Sequence, residues 1–401
     1  MTSTTSEPTP AVGKSRDALL GVLTSILGKP TTPISLHEPE FAGSEWEHVK
    51  ACLDSGWVSS AGPYVDEFEA RLAEYTGARH AVCVASGTAA LHIALKLVGV
   101  APGDEVLVPA LSFVATANAV AHCGAVPHFV DSSMGTLGLD PRALDAYLSR
   151  VVERSGGGSR NRLTGRRIAA VVPMHAFGHP VDMASLLEVA RRFDLPVVED
   201  AAESLGSSCG GRHTGTFGLL GTLSFNGNKI VTTGGGGAIL TDDPALARHA
   251  RHLTTTAKLP HRWEFVHDEV AWNYRLPNLN AALGCAQMER LPDMLRRKRH
   301  LAACYRDAFA GSADLMFVVE PPGCTSNYWL NTVRLLRPDI GERDALLEAA
   351  HGAGYQCRPA WTLLGRLPMY AEAPRAPLPV AEALEASLIN LPSSARLGAP
   401  A

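Results

Sequence analysis

The sequence predicts an α/β protein built on a largely parallel β-sheet, followed by a smaller α+β domain. Its 401 residues, 46% of them hydrophobic, are enough for a large layered domain with an appendage. Between about residues 44 and 290, short apolar runs alternate with helical patterns, which is typical of β-α units on a parallel sheet. A long helical region then precedes one alternating segment and a second helix.

The predicted strands are the apolar runs Ala81–Val84, Glu105–Val108, Val126–Val130, Ile168–Pro173, Pro196–Glu199, Thr222–Phe225 and Ala238–Thr241. Apolar side chains at helical spacing predict helices in this region at Glu67–Tyr75, Ala89–Leu97 and Met183–Phe193. The later part is predicted to hold a helix at Leu283–Phe309, an alternating segment at Asn327–Leu335 and a helix at Arg343–Gly352.

These patterns divide the chain into a leader (residues 1–30), a large domain (31–285) and a small carboxyl-terminal domain (286–401). The leader has Thr, Ser and Pro at both ends of one apolar stretch, Leu19–Leu27, so we expect it to be poorly ordered. A Gly/Ser/Arg-rich insertion at 154–167 is expected to be a solvated loop.

Charge and hydropathy exclude several classes of partner. The chain carries 36 basic and 40 acidic side chains, a formal net charge of −4, without a basic block. Nucleic-acid and anionic membrane partners are therefore not expected. No stretch approaches 18 uninterrupted apolar residues and the amino terminus lacks a signal-peptide core, so we expect a cytoplasmic protein.

The eight cysteines are scattered and form no C-x-x-C pair. This argues against a zinc ribbon and a disulfide framework, and we expect buried, reduced thiols. His175 and His179 have metal-like spacing, but Gly178 and Pro180 interrupt any helix there, so no metal site is predicted.

Three segments carry residues suited to chemistry. Lys229, one of only seven lysines, lies between a strand end and the glycine run Gly234–Gly237. Glycines let a planar or phosphorylated ligand approach the main chain, although a lysine on a surface turn is the alternative. Asp200 follows an apolar strand, at the edge where α/β folds bind ligands; a helix cap is the alternative there.

The third segment, Ser86-Gly87-Thr88, is a strand-to-helix turn whose amides and hydroxyls suit a phosphate, although Ser86 could be a plain cap. Together the three segments supply an anion cradle, a buried carboxylate and an amine. Pyridoxal phosphate (PLP) requires that set, for its phosphate, its pyridine nitrogen and its aldehyde.

The chain resembles the DegT/StrS-type sugar-nucleotide aminotransferases over about residues 34–394. The motifs that carry the resemblance are Ser86–Leu91, Pro109–Asn118, Met174–Met183, Glu199–Ala202, Ser224–Gly237 and Trp272–Leu276. The resemblance implies a three-layer α/β/α PLP-dependent transferase fold of the aspartate aminotransferase type I class, with a smaller carboxyl-terminal α+β domain.

It also implies roles for individual residues. Lys229 and Asp200 would be catalytic, the first holding the cofactor's aldehyde and the second pairing with its pyridine nitrogen. The other implied cofactor-binding residues are Ser86, Gly87, Thr88 and Ser224 as a phosphate cup, Phe113 against the ring, and Glu203 and Asn226. Asn273 matches an asparagine that reaches the phosphate of a neighbouring subunit, which implies a homodimer with shared active sites.

Asn226, Gly235 and Glu203 depart from the pattern of many family members. Many members have glutamine where this chain has Glu203. An ionised Glu203 would repel the cofactor's phenolate, so it must be protonated, turned away or offset by another donor. These departures and the segment Leu388–Ser394 resemble members that aminate C4 of a nucleotide-linked 4-keto-6-deoxy-N-acetylglucosamine, on routes to bacillosamine and legionaminic acid. L-Glutamate is the implied amino donor.

Candidate residues for the nucleotide sugar come from three places. His179 is one, and Trp57 and Ser59 lie in a loop, Gly56–Gly62, that could equally be a plain turn. A third segment offers cations for the diphosphate and an aromatic face for sugar or base: Lys258, His261, Arg262 and Trp263. Solvated loop charges are the alternative for this last segment.

Other functions remain open to comparison. The enzyme could act on a different ketosugar, at C3 or another 4-keto position, or the chain could be a non-catalytic regulator of the same fold. A sugar dehydratase of this fold would replace the lysine with histidine, whereas Lys229 is present. An NAD-binding oxidoreductase would need a G-x-G-x-x-G after its first strand, and none occurs there.

Overall fold

The computed structural model describes residues 10–155 and 158–399. The α-helices are α1 (Pro10–Leu27), α2 (Glu45–Ser55), α3 (Pro63–Thr76), α4 (Gly87–Leu97), α5 (Val114–His122), α6 (Pro141–Val151), α7 (Met183–Arg192), α8 (Pro244–Thr254), α9 (Asn278–Phe309), α10 (Ile340–Gly352) and α11 (Pro379–Glu385).

The strands are β1 (His80–Val84), β2 (Glu105–Pro109), β3 (Val126–Val130), β4 (Val152–Ser155), β5 (Gly158–Asn161), β6 (Ile168–Val171), β7 (Val198–Asp200), β8 (Ser208–Cys209), β9 (Arg212–His213), β10 (Leu220–Ser224), β11 (Gly237–Thr241), β12 (Leu315–Phe317), β13 (Cys324–Thr325), β14 (Asn331–Leu335), β15 (Arg358–Pro359) and β16 (Leu388–Leu391).

A seven-stranded sheet forms the centre of the large domain. The strand order is β1-β11-β10-β7 and, joined to β7 by parallel bridges, β6-β2-β3. Among these seven strands only β11 runs antiparallel. The predicted parallel sheet and all seven predicted strands are thereby confirmed, with ends shifted by one or two residues.

Both faces of this sheet are covered, because alternate residues of each strand point to opposite sides. On β1, Val82 and Val84 join a core cluster with helices α4 and α5, whereas Ala81 and Cys83 join a second cluster with α3 and α9. A third cluster packs α6 and α7 against β2, β3 and β6. The result is a three-layer α/β/α arrangement.

The carboxyl-terminal part is a smaller α+β domain, as predicted. Strands β12-β14-β16-β15 form an antiparallel sheet. Helix α10 and the end of α9 cover one face of it, where Leu346 and Tyr305 share a core cluster with Ile389 of β16. The segment Leu388–Leu391 thus lies in a central strand of this domain.

The expectation of a poorly ordered leader is wrong for residues 10–27, which form helix α1. Leu19 and Leu23, one helical turn apart, are fully buried and join the core cluster of the small domain with Tyr355. Ile34 then pairs with Tyr355. The apolar stretch that the sequence shows is therefore a helix face rather than part of a tail, and residues 1–9 lie outside the described part.

Two further expectations differ from the structure. The boundary between residues 285 and 286 falls inside α9, which runs unbroken between the two domains. Part of the insertion at 154–167 forms the hairpin β4–β5, while residues 156 and 157 lie outside the described part. Across the described residues, no helix combines the length and apolar character needed to cross a membrane.

The expectation of reduced cysteines is wrong for one pair, because Cys209 and Cys324 are joined as a disulfide. They face each other across the antiparallel pair β8–β13, with their Cα atoms 4.0 Å apart. Sequence spacing could not indicate this pairing, because 115 residues separate the two cysteines. The other six cysteines are free thiols.

The packing of α1 makes a testable prediction. Leu23→Ala should destabilise the folded chain by about 2–5 kcal/mol, because it leaves a cavity in a closed apolar cluster. The thermal unfolding midpoint measured by circular dichroism should fall. Ser25→Ala, on the exposed side of the same helix, is the matched control, and equal midpoints for the two variants would contradict this packing.

Candidate active site

A cavity of about 630 Å³ lies at the carboxyl edge of the large sheet, where the small domain closes over it. The large domain lines it with Ser86, Gly87, Thr88, Phe113, Asp200, Glu203, Ser224, Asn226 and Lys229, among others. The small domain contributes Trp329, Leu330, Arg358, Pro359, Ala360, Trp361 and Asn390. Residues that follow several parallel strands meet here, as expected at this edge.

Lys229 lies in the turn after β10, where its amide donates to the carbonyl of Asn226 at 2.9 Å. Its side chain is 12% exposed, and its Nζ lies 3.3 Å from Oε1 of Glu203. The same nitrogen lies 3.8 Å from the ring centroid of Trp329, a cation–π distance. The amine is therefore held inside the cavity and does not lie on a surface turn.

Asp200 ends strand β7 and is buried, with 3% of its surface exposed. Thr116 donates its hydroxyl to Oδ2 at 2.7 Å, and the amide of Ala202 donates to Oδ1 at 3.2 Å. Burial raises the pKa of Asp200, while these two bonds and the Lys229 charge act in the opposite direction. The carboxylate is thus fixed in orientation and suited to a cationic partner.

The turn between β1 and α4 has the features of an anion site. Ser86 caps the helix, and its Oγ accepts from the amide of Ala89 at 3.1 Å. The amides of Gly87 and Thr88 belong to the first helical turn, so the helix itself provides no acceptor for them. A Cβ on Gly87 would lie 2.9 Å from Cβ of Ser224, so glycine is required for this close packing.

Glu203 is fully enclosed, and its two oxygens have different donors. Oε2 accepts from the amide of Phe177 at 2.9 Å, and Oε1 faces Lys229. Burial raises the pKa of Glu203 to about 7, although the Lys229 charge lowers it. A protonated form is therefore accessible near neutral pH, and two donors offset the ionised form.

Phe177 shows how tightly this wall is built. Its backbone adopts φ 57° and ψ 14°, a left-handed conformation that is unfavourable for an aromatic residue. Its amide binds Glu203, its carbonyl accepts from Leu330 at 3.2 Å, and its ring stacks on Trp361 at 4.7 Å. These contacts maintain the strained backbone and connect the large and small domains.

The protonation of Glu203 predicts a pH-dependent stability. Between pH 4.5 and about 7 the folded apoprotein retains a proton that the unfolded chain releases, so its stability falls as pH rises through this window. Glu203→Gln lacks this titration. Its thermal midpoint relative to the original protein should rise across the window, by the equivalent of about 3 kcal/mol, and level off above it.

Glu188→Gln, an exposed change on α7, is the control for this experiment. Its midpoint should follow that of the original protein at every pH. Parallel curves for Glu203→Gln and the original protein would show that the proton on Glu203 is not retained near neutrality.

Of the remaining predicted cofactor residues, Phe113 and Asn226 line the cavity and Asn273 does not. Phe113 lines the cavity with its ring half exposed, directly before α5. Asn226 also lines it, and its Nδ2 donates to Asn228 at 3.1 Å. Asn273 is exposed, pairs with Thr255 through the backbone and is not among the lining residues.

The candidate sugar-binding residues do not enter this cavity within one chain. Trp57 and Ser59 lie in an exposed loop held by Asn278. His179 is buried, packs against the edge of Tyr328, and has its pKa lowered to about 4 by burial. The remaining four candidates lie in one exposed loop: Lys258, His261, Arg262 and Trp263.

Sequence reasoning missed the small-domain wall of the cavity. Trp329 lies over the amine, and its Nε1 donates to the carbonyl of Asn228 at 2.8 Å. Trp361 and Arg358 also line the site. The sequence places Trp329 100 residues after Lys229 and gives no local signal for their contact; only the packing of the two domains shows it.

The residues present fit PLP. An enclosed amine, a buried carboxylate held in orientation by two donors, and a glycine-containing helix start lie around one cavity. These are the groups that an aldehyde, a pyridine nitrogen and a phosphate need. Lys229, Asp200 and the Ser86–Thr88 turn would hold the cofactor, and Ser224 would extend the phosphate site.

Comparison with known proteins gives consistent matches. The model of the DegT/DnrJ/EryC1/StrS aminotransferase family matches residues 39–400. GDP-perosamine synthase of Caulobacter vibrioides is 37% identical over 367 residues, covering 91% of this chain and 94% of that protein. The aminotransferase TlmJ from Streptoalloteichus hindustanus superposes with a TM-score of 0.81 at 32% identity, covering 90% and 93% of the two chains.

A further solved structure, of DesI in the presence of its TDP-sugar product, superposes with a TM-score of 0.80 at 28% identity over 92% of this chain and 91% of that one. The fold and the site together define a PLP-dependent sugar aminotransferase. The chain belongs to the DegT/DnrJ/EryC1/StrS aminotransferase family. The predicted fold class and enzyme class are thereby confirmed.

Proposed function

We propose that the protein binds PLP in this cavity and transfers an amino group from L-glutamate to C4 of a nucleotide-linked 4-keto-6-deoxy-N-acetylhexosamine. The observation that carries the proposal is the convergence of the Lys229 amine, the Asp200 carboxylate and the start of α4 on one cavity. Their order along the chain and the family membership support the same reaction class.

PLP, when bound, supplies an electron sink that stabilises negative charge at the carbon from which the donor loses a proton. The protein's part is to hold and move charge around it. Lys229 would accept the proton from the donor's Cα in the first half-reaction. In the second half-reaction it would supply a proton to the acceptor carbon that receives the amino group. Asp200 would keep a proton on the ring nitrogen, while Thr116 and Ala202 hold the carboxylate in place.

Other residues fix positions rather than move protons. Ser86, Thr88 and Ser224 would bind the phosphate together with the helix amides. Phe113 would pack on the ring. Trp329, whose ring centroid lies 3.8 Å from the amine, would limit access of water to it. With Glu203 neutral, its hydroxyl could donate to the phenolic oxygen; with Glu203 ionised, Lys229 and the Phe177 amide counter its charge.

The nucleotide that carries the acceptor sugar differs among the relatives. The relative from Caulobacter is named for a GDP-linked sugar and DesI was solved with a TDP-sugar product, whereas the resemblance to bacillosamine and legionaminic acid enzymes favours an N-acetylated sugar. We infer that the exposed loop with Lys258, His261, Arg262 and Trp263 contributes to the site of a second copy. Asn273, exposed in the single chain, would serve there as a phosphate ligand.

A homodimer with shared active sites and a cytoplasmic location complete the proposal. Size-exclusion chromatography with light scattering should give twice the chain mass. Mixing Lys229→Ala and Asn273→Ala variants tests the sharing, because a mixed dimer restores one intact site. Activity of the mixture above both parents supports shared sites, and activity at the mean of the parents contradicts them.

The reaction is tested with purified holoenzyme, L-glutamate and a panel of UDP-, GDP- and TDP-linked 4-keto-6-deoxy sugars, with and without an N-acetyl group. The expected product carries a new amine at C4 on the N-acetylated sugar, identified by NMR and mass spectrometry. Turnover confined to a sugar without the N-acetyl group, or amination at C3, would favour another ketosugar aminotransferase. No turnover with any ketosugar would favour a non-catalytic role.

A further inference from the structure

The disulfide between Cys209 and Cys324 joins two segments that belong to different domains. Cys209 lies in β8 of the large domain, whereas Cys324 lies in β13, between the small-domain strands β12 and β14. The two strands also pair through their backbones, with Cys324 opposite Cys209 and Thr325 opposite Ser208. The disulfide therefore cross-links the two domains within a short antiparallel ladder.

Each of the two joined segments carries a residue that contacts the amine of Lys229. Glu203 lies six residues before Cys209, and its Oε1 is 3.3 Å from Nζ of Lys229. Trp329 lies five residues after Cys324, and its ring centroid is 3.8 Å from the same nitrogen. The disulfide thus links the two pieces of chain that bring these side chains to the site.

Between the disulfide and the site, the Trp329 segment (residues 324–329) packs along the Glu203 loop (residues 203–209). Asn327 is fully buried there, and its Nδ2 donates to two carbonyls of the Glu203 loop, each at 2.9 Å. The amide of Asn327 donates to the hydroxyl of Ser207, also in the loop, at 2.9 Å. These bonds hold the two segments against each other, in addition to the covalent link.

The Trp329 segment contains a backbone conformation that needs such support. Tyr328 has φ 46°, a left-handed value that is unfavourable for an aromatic residue and persists only where surrounding contacts maintain it. Its amide donates to Oγ of Ser326 at 3.0 Å, and its hydroxyl accepts from the amide of Glu320 at 3.1 Å. The covalent link at Cys324 restrains the same segment, so its loss removes one of these supports.

The disulfide is also accessible to a reductant. Cys209 and Cys324 are both partly exposed, and their neighbours Gly210, Gly323 and Thr325 are exposed. Five of the six free cysteines, by contrast, are buried. A thiolate must reach a sulfur atom to open a disulfide. Disulfides in cytosolic proteins are rare and usually catalytic or redox-sensing, so the cytoplasmic location proposed above favours a reversible bond here.

We propose that the disulfide between Cys209 and Cys324 is a redox-sensitive tether, which keeps the Trp329 segment on the Glu203 loop and so controls how well the amine of the site is covered. The effect on turnover rests on the proposed function, whereas the effect on structure does not. In the reduced state only the backbone ladder and the hydrogen bonds of Asn327 join the two segments. The Trp329 segment then loosens while the fold is retained.

The redox step balances with a dithiol as the reductant. One thiolate of the dithiol attacks Sγ of Cys209 or Cys324, the S–S bond breaks, and the other cysteine leaves as a thiolate. The second thiol of the dithiol then attacks the mixed disulfide and releases the remaining cysteine. Two electrons and two protons pass to the cysteine pair from the dithiol, which itself becomes a disulfide. An oxidised dithiol reverses the step.

The first experiment asks whether the bond forms and opens in the folded protein. Peptide mapping without reductant should give one cross-linked peptide pair that contains Cys209 and Cys324. Dithiothreitol should open this link without a loss of the circular dichroism signal. Hydrogen–deuterium exchange is then compared in the oxidised and reduced apoprotein. Amides of residues 324–329 should exchange faster after reduction, whereas those of α4 should be unchanged.

Variants separate the tether from other effects of the reductant. Cys209→Ser and Cys324→Ser should show the fast exchange of the reduced protein with or without dithiothreitol. Cys304→Ser is the matched control, because Cys304 is a partly exposed free cysteine, and this variant should respond to dithiothreitol as the original protein does. If a serine variant fails to fold, the reduced original protein still provides the comparison.

Turnover is measured on protein that is reduced as the apoprotein, freed of reductant under nitrogen and then loaded with PLP. Its single-turnover rate with L-glutamate should fall by roughly tenfold, within the up to 10²-fold cost of misplacing a group by about 1 Å. An absent cross-link, a link that resists dithiothreitol in the folded protein, or unchanged exchange of residues 324–329 would overturn the proposal. An unchanged rate despite faster exchange would overturn the control of the amine.

The tether and the reaction can fail separately. If reduction speeds exchange of the Trp329 segment but no ketosugar is aminated, the tether stands and the assigned reaction is wrong. If the oxidised protein, the reduced protein and Cys209→Ser aminate the sugar at equal rates, the reaction stands and the role of the disulfide is wrong.

Discussion

Asp200→Asn should leave a folded protein that has lost transamination by about three orders of magnitude. Opposite charges about 4 Å apart interact by roughly 4 kcal/mol at an effective dielectric near 20, which corresponds to about three pK units. The amide cannot supply this interaction to a protonated ring nitrogen. Because Thr116 and Ala202 can still bond the new side chain, the fold should survive.

The measurement is the single-turnover rate with L-glutamate, alongside circular dichroism and size exclusion to confirm the folded state. Asp344→Asn is the matched control, since the Asp344 side chain is 57% exposed and neither it nor its partner Arg343 lines the cavity. Near-normal turnover in Asp200→Asn would remove Asp200 from its role.

Lys229→Ala should abolish both covalent attachment of the cofactor and proton transfer at the donor carbon. A positioned general base typically contributes 10²- to 10⁴-fold to the rate. The variant also loses the covalent attachment of the cofactor, which lowers the rate further. We expect turnover to fall by at least about 10³-fold. Lys229→Arg keeps a cation beneath Trp329 but has no nucleophilic amine, so it should be equally inactive.

Absorbance spectra during a stopped-flow reaction with L-glutamate measure this directly. Lys50→Ala removes a lysine from an exposed ion pair with Asp54 and should behave like the original protein. If Lys229→Arg retained substantial activity, charge rather than the amine would be the contribution of this residue, and the assigned role would be wrong.

Much of the large domain could be predicted from the sequence, because its strands are apolar runs and its helices have regular spacing. The same logic predicts the core of the site. Ser86, Asp200 and Ser224 follow or end parallel strands, whose carboxyl ends meet at one edge of the sheet. The antiparallel insertion of β11 next to β1 could not be predicted, since local patterns carry no information on strand order.

The other misses have physical reasons of the same kind. The sequence of α1 is similar to that of a disordered terminus because Thr, Ser and Pro flank its apolar stretch. Leu19 and Leu23 are buried only because they pack in the cluster that contains Tyr355. The contact of Trp329 with Lys229 arises from domain packing. Arg358 lines the cavity only because the two domains pack together, so the sequence gives no local signal for its position.

The protonation state of Glu203 could not be predicted from the sequence. The resemblance to the family places its carboxylate opposite a phenolic oxygen, and an ionised carboxylate there would repel a phenolate. The structure adds the burial that raises its pKa to about 7 and the donors Phe177 and Lys229. The Phe177 amide reaches Glu203 from a left-handed backbone conformation that the sequence around Phe177 does not indicate.

We propose that the amine of Lys229, and of no other lysine, carries the cofactor. Borohydride reduction of the holoprotein, followed by digestion and peptide mass mapping, tests it directly. Lys298 is the informative competitor, since burial lowers its pKa to about 7. Its amine is nevertheless fully buried, donates to the carbonyl of Trp329 at 3.1 Å and is absent from the cavity wall. A pyridoxyl label is expected on the Lys229 peptide alone. A label on Lys298, or no label on a yellow protein, would show that Lys229 does not carry the cofactor.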